Sequence, residues 1–93
     1  MAFTNRNYCK TFNLALNGTA QKLADQECTE VIVSCSSIVN VYDKANPAVP
    51  FVVPANTVFT FRGVTNSFDL SASGSGTLSY RTQYYSGLQQ TFV

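Results

Sequence analysis

The amino-acid sequence predicts a small all-β fold. Apolar and polar residues alternate with a period of two over most of the 93 residues, as they do in half-buried strands. Turn-forming residues recur about every ten positions, which is the spacing of short strands in sandwiches and barrels. No segment has the pattern of a crossover helix, so we expect the strands to pair antiparallel. The favoured architecture is a β-sandwich of six to seven strands, jelly-roll or immunoglobulin-like, with a small barrel as the alternative.

A single domain accounts for the whole chain. A length of 93 residues is enough for one domain and too short for two. We expect residues 1–93 to form one sandwich domain with a short N-terminal arm (1–8) and a C-terminal tail (86–93). A core of this size gives only marginal stability, so association with other chains would help it.

Seven segments have strand-like composition, and six or seven of them are predicted to form strands. In chain order they are residues 12–16, 29–35, 38–43, 49–53, 57–62, 67–72 and 77–85. Pro47, Pro50 and Pro54 lie in or around the fourth segment. Because proline cannot donate to a β-ladder, we expect an edge strand or an extended loop there. Residues 73–76, Ser-Gly-Ser-Gly, are predicted to form the flexible tip of a hairpin.

Residues 19–27 form the only segment with helical spacing. The segment is short, and both a single helical turn and an ordered loop fit it. The inward positions of the predicted strands define the core. They are Phe12, Leu14, Leu16, Val31, Val33, Val39, Val41, Phe59, Phe61, Phe68, Leu70, Leu78 and Tyr80.

The three cysteines, Cys9, Cys28 and Cys35, are an odd number and so make a poor disulfide framework. The chain has no CxxC pair and no histidine, which argues against a zinc site. We expect free thiols that are buried as small apolar residues. A disulfide between Cys9 and one of the others is the alternative.

The residue types that carry out catalysis are scarce. Without histidine, a Ser-His-Asp or Cys-His site within one chain is excluded. Asp25, Glu27 and Glu30 cluster near the start of a predicted strand, where solvated loop charges are the simplest interpretation. The sequence therefore predicts no catalytic residue, no metal site and no cofactor, and hence a protein that is not an enzyme.

Charge and hydropathy argue against two classes of partner. The six cations are spread along the chain and the net charge is +1, whereas nucleic-acid binding needs a concentrated basic face. No apolar run approaches the roughly 18 residues that cross a membrane. The N-terminal residues lack the apolar stretch of a signal peptide, so synthesis in a cytosol is expected.

Aromatic residues supply the candidates for an interface. Tyr84 and Tyr85 are adjacent and would point to opposite faces of a strand, so one of them must lie outside the core. Phe3 and Phe92 fall near the two ends of the sequence, outside the alternating body. Because tyrosine and phenylalanine are enriched at interfaces, these positions and their neighbours are the predicted contact residues. The candidates are Phe3, Tyr8, Tyr84, Tyr85, Phe92 and Val93.

The order of several short motifs adds a resemblance. Ala-Gln-Lys-Leu (20–23) leads into a strand, and Asn-Val-Tyr (40–42) lies in the next one. Phe-Thr-Phe-Arg-Gly (59–63) then precedes a closing Leu-Ser-Tyr-Arg (78–81). Over residues 12–86 this order resembles the small β-sandwich virion proteins of tailed bacteriophages, including capsid decoration (cement) proteins and short fibre or spike domains.

The resemblance implies a structural protein of the virion, made in the cytoplasm of a bacterial host. A decoration protein would bind the major capsid protein as a homotrimer and stabilise the head shell. A receptor- or carbohydrate-binding module of a tail fibre or spike is one alternative, with Tyr84 or Tyr85 stacking on sugars. A tail or neck connector is another, and its lower copy number per particle would distinguish it.

Overall fold

The computed structural model of the chain describes residues 8–85. Its seven strands all pair antiparallel, as the sequence predicts. The strands are β1 (Tyr8–Asn17), β2 (Gln21–Lys22), β3 (Glu30–Cys35), β4 (Val39–Asp43), β5 (Phe51–Val53), β6 (Thr57–Arg62) and β7 (Leu70–Tyr84). They form one sheet that curls until it is nearly barrel-shaped, so the prediction of a small antiparallel β fold is confirmed.

Strand β7 runs through the middle of the whole sheet. Its second half lies between β1 and β3, and its first half lies between β2 and β4. Strand β6 pairs with β3, and β5 pairs with β4, so β5 and β6 end the path β5-β4-β7-β3-β6. Strands β1 and β2 follow one another along the opposite side of β7. Four strands therefore form backbone hydrogen bonds directly with β7, namely β1, β2, β3 and β4.

The bend in β7 corrects one prediction. Residues 73–76 are not the tip of a hairpin, because they continue the strand between its two halves. Gly74 has φ +152° and Gly76 has φ +83°, and both values lie in a region that L side chains rarely adopt. The Gly18 N–H donates to the Gly74 carbonyl at 2.9 Å, so the neighbouring chain follows β7 around this bend. The glycines let the strand change direction while its ladder persists.

The core is formed by the inward faces of the strands. Eight predicted core residues are buried: Leu16, Val31, Val33, Val39, Val41, Leu70, Leu78 and Tyr80. Four more are only half-buried and pack against that core: Phe12, Leu14, Phe59 and Phe61. Burial of Leu23, Val53 and Ala72 was not predicted. Cys28 and Cys35 are buried free thiols as expected, whereas Cys9 is a free thiol on the surface, so the expectation of burial is wrong there.

Phe68 is the one predicted core residue that lies outside. Its side chain is 45% exposed, and the Lys22 ammonium lies 4.7 Å from the centre of its ring. The reason is local, because Ser67–Asp69 forms a turn of 3₁₀ helix ahead of β7. A helical turn breaks the two-residue alternation from which the inward position of Phe68 was inferred. The Asn66 side chain caps this turn by accepting from the Phe68 N–H at 2.8 Å.

Residues 19–27 form an ordered loop that contains the two-residue β2, and not the helical turn that also fitted the sequence. Their backbone groups bond to distant parts of the chain. The Leu23 N–H donates to the Leu70 carbonyl at 3.0 Å, and the Ala24 N–H donates to the Tyr80 hydroxyl at 2.8 Å. These tertiary bonds replace the local bonds of a helix.

Candidate binding groove

Three phenylalanines meet where the two ends of the sheet approach each other. Phe51 lies on β5, and Phe59 and Phe61 lie on β6. The Phe51 ring centre is 4.6 Å from that of Phe59 and 5.6 Å from that of Phe61. Phe59 and Phe61 are 4.8 Å apart with their planes at 65°. Tilted and edge-on rings at such distances are favourable aromatic contacts, so side chains rather than a β-ladder join β5 to β6.

A groove opens beside these rings. Its volume is about 540 Å³, which is within the size range of ligand and peptide pockets. The three phenylalanines line it together with Val64 and Leu70. Phe51 is 48% exposed, so roughly 100 Å² of its surface stays in water if a buried aromatic ring removes 150–250 Å². At about 25 cal/mol per Å², covering Phe51 would contribute about 2–3 kcal/mol. We name this feature, defined by Phe51, Phe59, Phe61, Val64 and Leu70, the aromatic groove.

Charged side chains of both signs border the aromatic groove. Lys44 and Asp69 form an ion pair of 4.0 Å on one side. On the other, Arg62 lies 3.6 Å from Glu30, and most of the Arg62 side chain is exposed. Exposed pairs of this kind add little to stability. They place charges of opposite sign around an apolar floor.

The buried thiol of Cys28 is hydrogen-bonded to Val64, which lines the aromatic groove. The Cys28 thiol donates to the Val64 carbonyl at 3.2 Å. Burial, and after it the negative charge of Asp69, raises the pKa of Cys28 above its ordinary value. A thiol that is held protonated is a poor nucleophile. The Cys28 thiol is therefore not activated for nucleophilic attack.

The predicted interface tyrosines lie together at one end of the molecule. Tyr8 and Tyr84 are opposite each other on β1 and β7, and their rings stack with centres 5.1 Å apart and planes within 5°. Tyr85 points away from that stack, since its hydroxyl accepts from the Gln83 side chain at 2.8 Å. The prediction that Tyr84 and Tyr85 face opposite sides is confirmed by these contacts. The other candidates, Phe3, Phe92 and Val93, lie outside the described residues.

Asp25 and Glu30, near the start of β3, contact different partners. Asp25 accepts from the Asn66 side chain at 2.8 Å, and Glu30 pairs with Arg62. Within residues 8–85, no three metal-binding side chains come together. The same part of the chain contains no helix of the length and hydropathy that would span a membrane.

Sequence reasoning missed the aromatic groove. Alternation predicts that Phe59 and Phe61 lie in the core, and it predicts no role for Phe51. One signal was available, because Phe51 follows Pro50 in a segment predicted to lie at an edge. An aromatic residue on an edge strand has only one neighbouring strand to cover it, so partial exposure follows from that position.

A scan against protein-family models and searches of the curated proteins and of the solved structures find no match to this chain.

Proposed function

We propose that this chain is a non-catalytic structural protein that binds a partner protein through the aromatic groove. The observation that carries the proposal is the half-exposed Phe51 in contact with two further phenylalanines. Interfaces are enriched in aromatic residues at their centres, and anchoring side chains there supply most of the binding free energy. A rim of mixed charge around an apolar floor has the same anatomy.

The edge of β6 offers a backbone contact beside the rings. Among the residues that the structure describes, β6 pairs only with β3, so its outer N–H and C=O groups have no strand partner. An extended segment of a partner could add to this edge and insert apolar side chains between Phe51 and Phe61. Strand addition of this kind takes affinity from the backbone and specificity from the pockets.

The proposed partner is the major capsid protein of a bacteriophage. This chain would be a capsid decoration protein that binds it on the head shell of the virion. The motif order of residues 12–86 supports this setting. The expected homotrimer stays a prediction, and so do the virion location and the host-cytoplasm origin. Low charge, at 12% of residues, also favours assembly because copies repel each other weakly.

Co-sedimentation with purified, undecorated heads tests the proposal. We expect saturable binding of the wild-type chain and a loss of about 30-fold for Phe51→Ser, which corresponds to a hot spot of about 2 kcal/mol. Val52→Ser is the matched control, since Val52 is the next residue, is 52% exposed and does not line the groove. It should change binding by less than about twofold. Equal losses in both variants, or no binding of the wild type, would contradict the proposal.

A second candidate is a carbohydrate-binding module, and the Tyr8–Tyr84 stack favours it specifically. The two rings stack parallel to each other, and a hollow of about 200 Å³ at this end of the sheet is lined by Tyr8, Cys9, Gln83, Tyr84 and Tyr85. Flat aromatic surfaces stack on sugar rings, and the amide can bond to hydroxyls. A glycan array hit that disappears in Tyr84→Ala and survives in Phe51→Ser would favour this function over shell binding.

A further inference from the structure

Strand β1 presents a long edge without a strand partner. Within residues 8–85 it pairs with β7 alone, in continuous register from Tyr8 opposite Tyr84 to Asn17 opposite Ser75. The Gly18 N–H bonds to the Gly74 carbonyl, and bonded positions alternate along an antiparallel pair. The even-numbered residues of β1 therefore bond to β7. The odd-numbered residues direct their N–H and C=O groups outward.

The β1 edge lacks the features that usually block an edge. Natural sheets protect edges with short strands, prolines, bulges and charges. Strand β5 has three residues and lies between Pro50 and Pro54, and the edge of β6 lies beside the aromatic groove. Strand β1 has ten residues with one charge, Lys10, and neither a proline nor a break in register. Its edge is therefore open to another strand.

We propose that two copies of this chain pair antiparallel through β1, about a two-fold axis at Phe12. This two-fold dimer takes the place of the homotrimer that the sequence resemblance implies. A second copy fits because a two-fold axis places the same strand opposite itself, with backbone donors facing acceptors. Side chains opposite each other in an antiparallel pair share a face, so an axis at a residue matches inward faces with inward faces. The two sheets would then continue into one another.

The axis at Phe12 follows from the inward residues. Phe12 stacks on Tyr80 with ring centres 5.2 Å apart, and in this register Phe12 of each copy meets Phe12 of the other. An aromatic row then crosses the interface, and cross-strand aromatic pairs stabilise sheets. Lys10 falls opposite Leu14, so the two lysines do not face each other. An axis at Asn13 would instead set Phe12 against Leu14 and lose the aromatic pair.

The first experiment is the mass in solution by light scattering after size exclusion. We expect about twice 10.2 kDa for the wild-type chain. In the proposed register Thr11 of one copy meets Asn13 of the other, so Thr11→Lys/Asn13→Lys opposes like charges and should give the mass of one chain. Thr11→Glu/Asn13→Lys opposes unlike charges at the same positions and should remain dimeric. A wild-type mass of one or three chains would overturn the proposal, as would a dimeric double-lysine variant.

The second experiment fixes the register with the native Cys9. An axis at Phe12 sets Cys9 opposite Ala15 of the other copy, within the Cα separation of about 4.4–6.8 Å that a disulfide spans. We expect Ala15→Cys to form a covalent dimer on mild oxidation, and Cys9→Ser in the same background to abolish it. Asn17→Cys reports the axis at Asn13 and should not cross-link. Cross-linking of Asn17→Cys without Ala15→Cys would overturn the axis at Phe12.

The two proposals fail separately. The aromatic groove lies on β5 and β6, which are at the opposite side of the sheet from β1. Phe51→Ser should therefore leave the mass in solution unchanged, and the double-lysine variant should keep its groove. Loss of head binding with an intact dimer would count against the proposed function alone, and a wild-type monomer that binds heads would count against the dimer alone.

Discussion

The bend in β7 can be tested by adding a single methyl group. A Cβ on Gly74 would lie 2.9 Å from the Ile38 carbonyl oxygen and 3.4 Å from Leu16 Cδ1, at a φ of +152°. Gly18 has a φ of +86° and nothing within 4 Å of its added Cβ, so Gly18→Ala isolates the backbone strain. We expect Gly18→Ala to cost about 1 kcal/mol and Gly74→Ala about 3 kcal/mol, since a backbone carbonyl must also move.

Equilibrium unfolding in urea measures the difference. For a chain of this size the free energy of unfolding falls by about 1.5 kcal/mol per M of urea. Gly74→Ala should therefore unfold about 2 M earlier than the wild type, and Gly18→Ala about 0.7 M earlier. Equal midpoints for the two variants would refute the reasoning. They would mean that residues 73–76 accommodate the methyl group as a flexible loop would, whereas a strand paired on both sides would not.

Three further outcomes follow from the buried polar and titratable groups. Thr82 is 1% exposed, and its hydroxyl has no hydrogen-bond partner among the described residues. Thr82→Val should therefore raise the free energy of unfolding, measured in urea, by about 1 kcal/mol. A lower free energy of unfolding would show that the hydroxyl does form a hydrogen bond. A thiol reagent should label Cys9 in the folded chain, and Cys28 and Cys35 only after unfolding, as mass spectrometry would show; equal labelling would contradict their burial. Burial raises the pKa of both Cys28 and Tyr80, so the unfolded chain releases these protons at a lower pH than the folded chain does. The free energy of unfolding should therefore fall as the pH rises above 9.0, the ordinary thiol value. Unfolding midpoints that stay constant up to pH 11 would contradict this.

Alternation along the chain was enough to predict the antiparallel strands and most of the core, because the two faces of a strand differ in solvent contact wherever the strand is regular. It failed where the backbone leaves that regularity. Phe68 lies outside the core because a 3₁₀ turn precedes β7. Gly74 suggests a loop in the sequence because glycine occurs both in flexible loop tips and in strained bends.

The aromatic groove could not be predicted for a different reason. Alternation places Phe59 and Phe61 on an inward face, and this is correct as far as their direction is concerned. How much of an inward face is covered depends on which strands lie at the ends of the sheet. That order arises from pairings such as β3 with β6 and β4 with β5, which the strand list alone does not contain.

The central place of β7 has a consequence for how the chain is made. Four strands bond to β7, yet it is translated after all of them. Strands β1 to β4 are therefore synthesised before the strand with which they pair. The pairing of Tyr8 with Tyr84 closes one of the longest loops in the chain. Folds that depend on such distant contacts form slowly, and unpaired strands aggregate during the delay. Heavy expression should therefore favour inclusion bodies, and slower translation should increase the yield of folded protein.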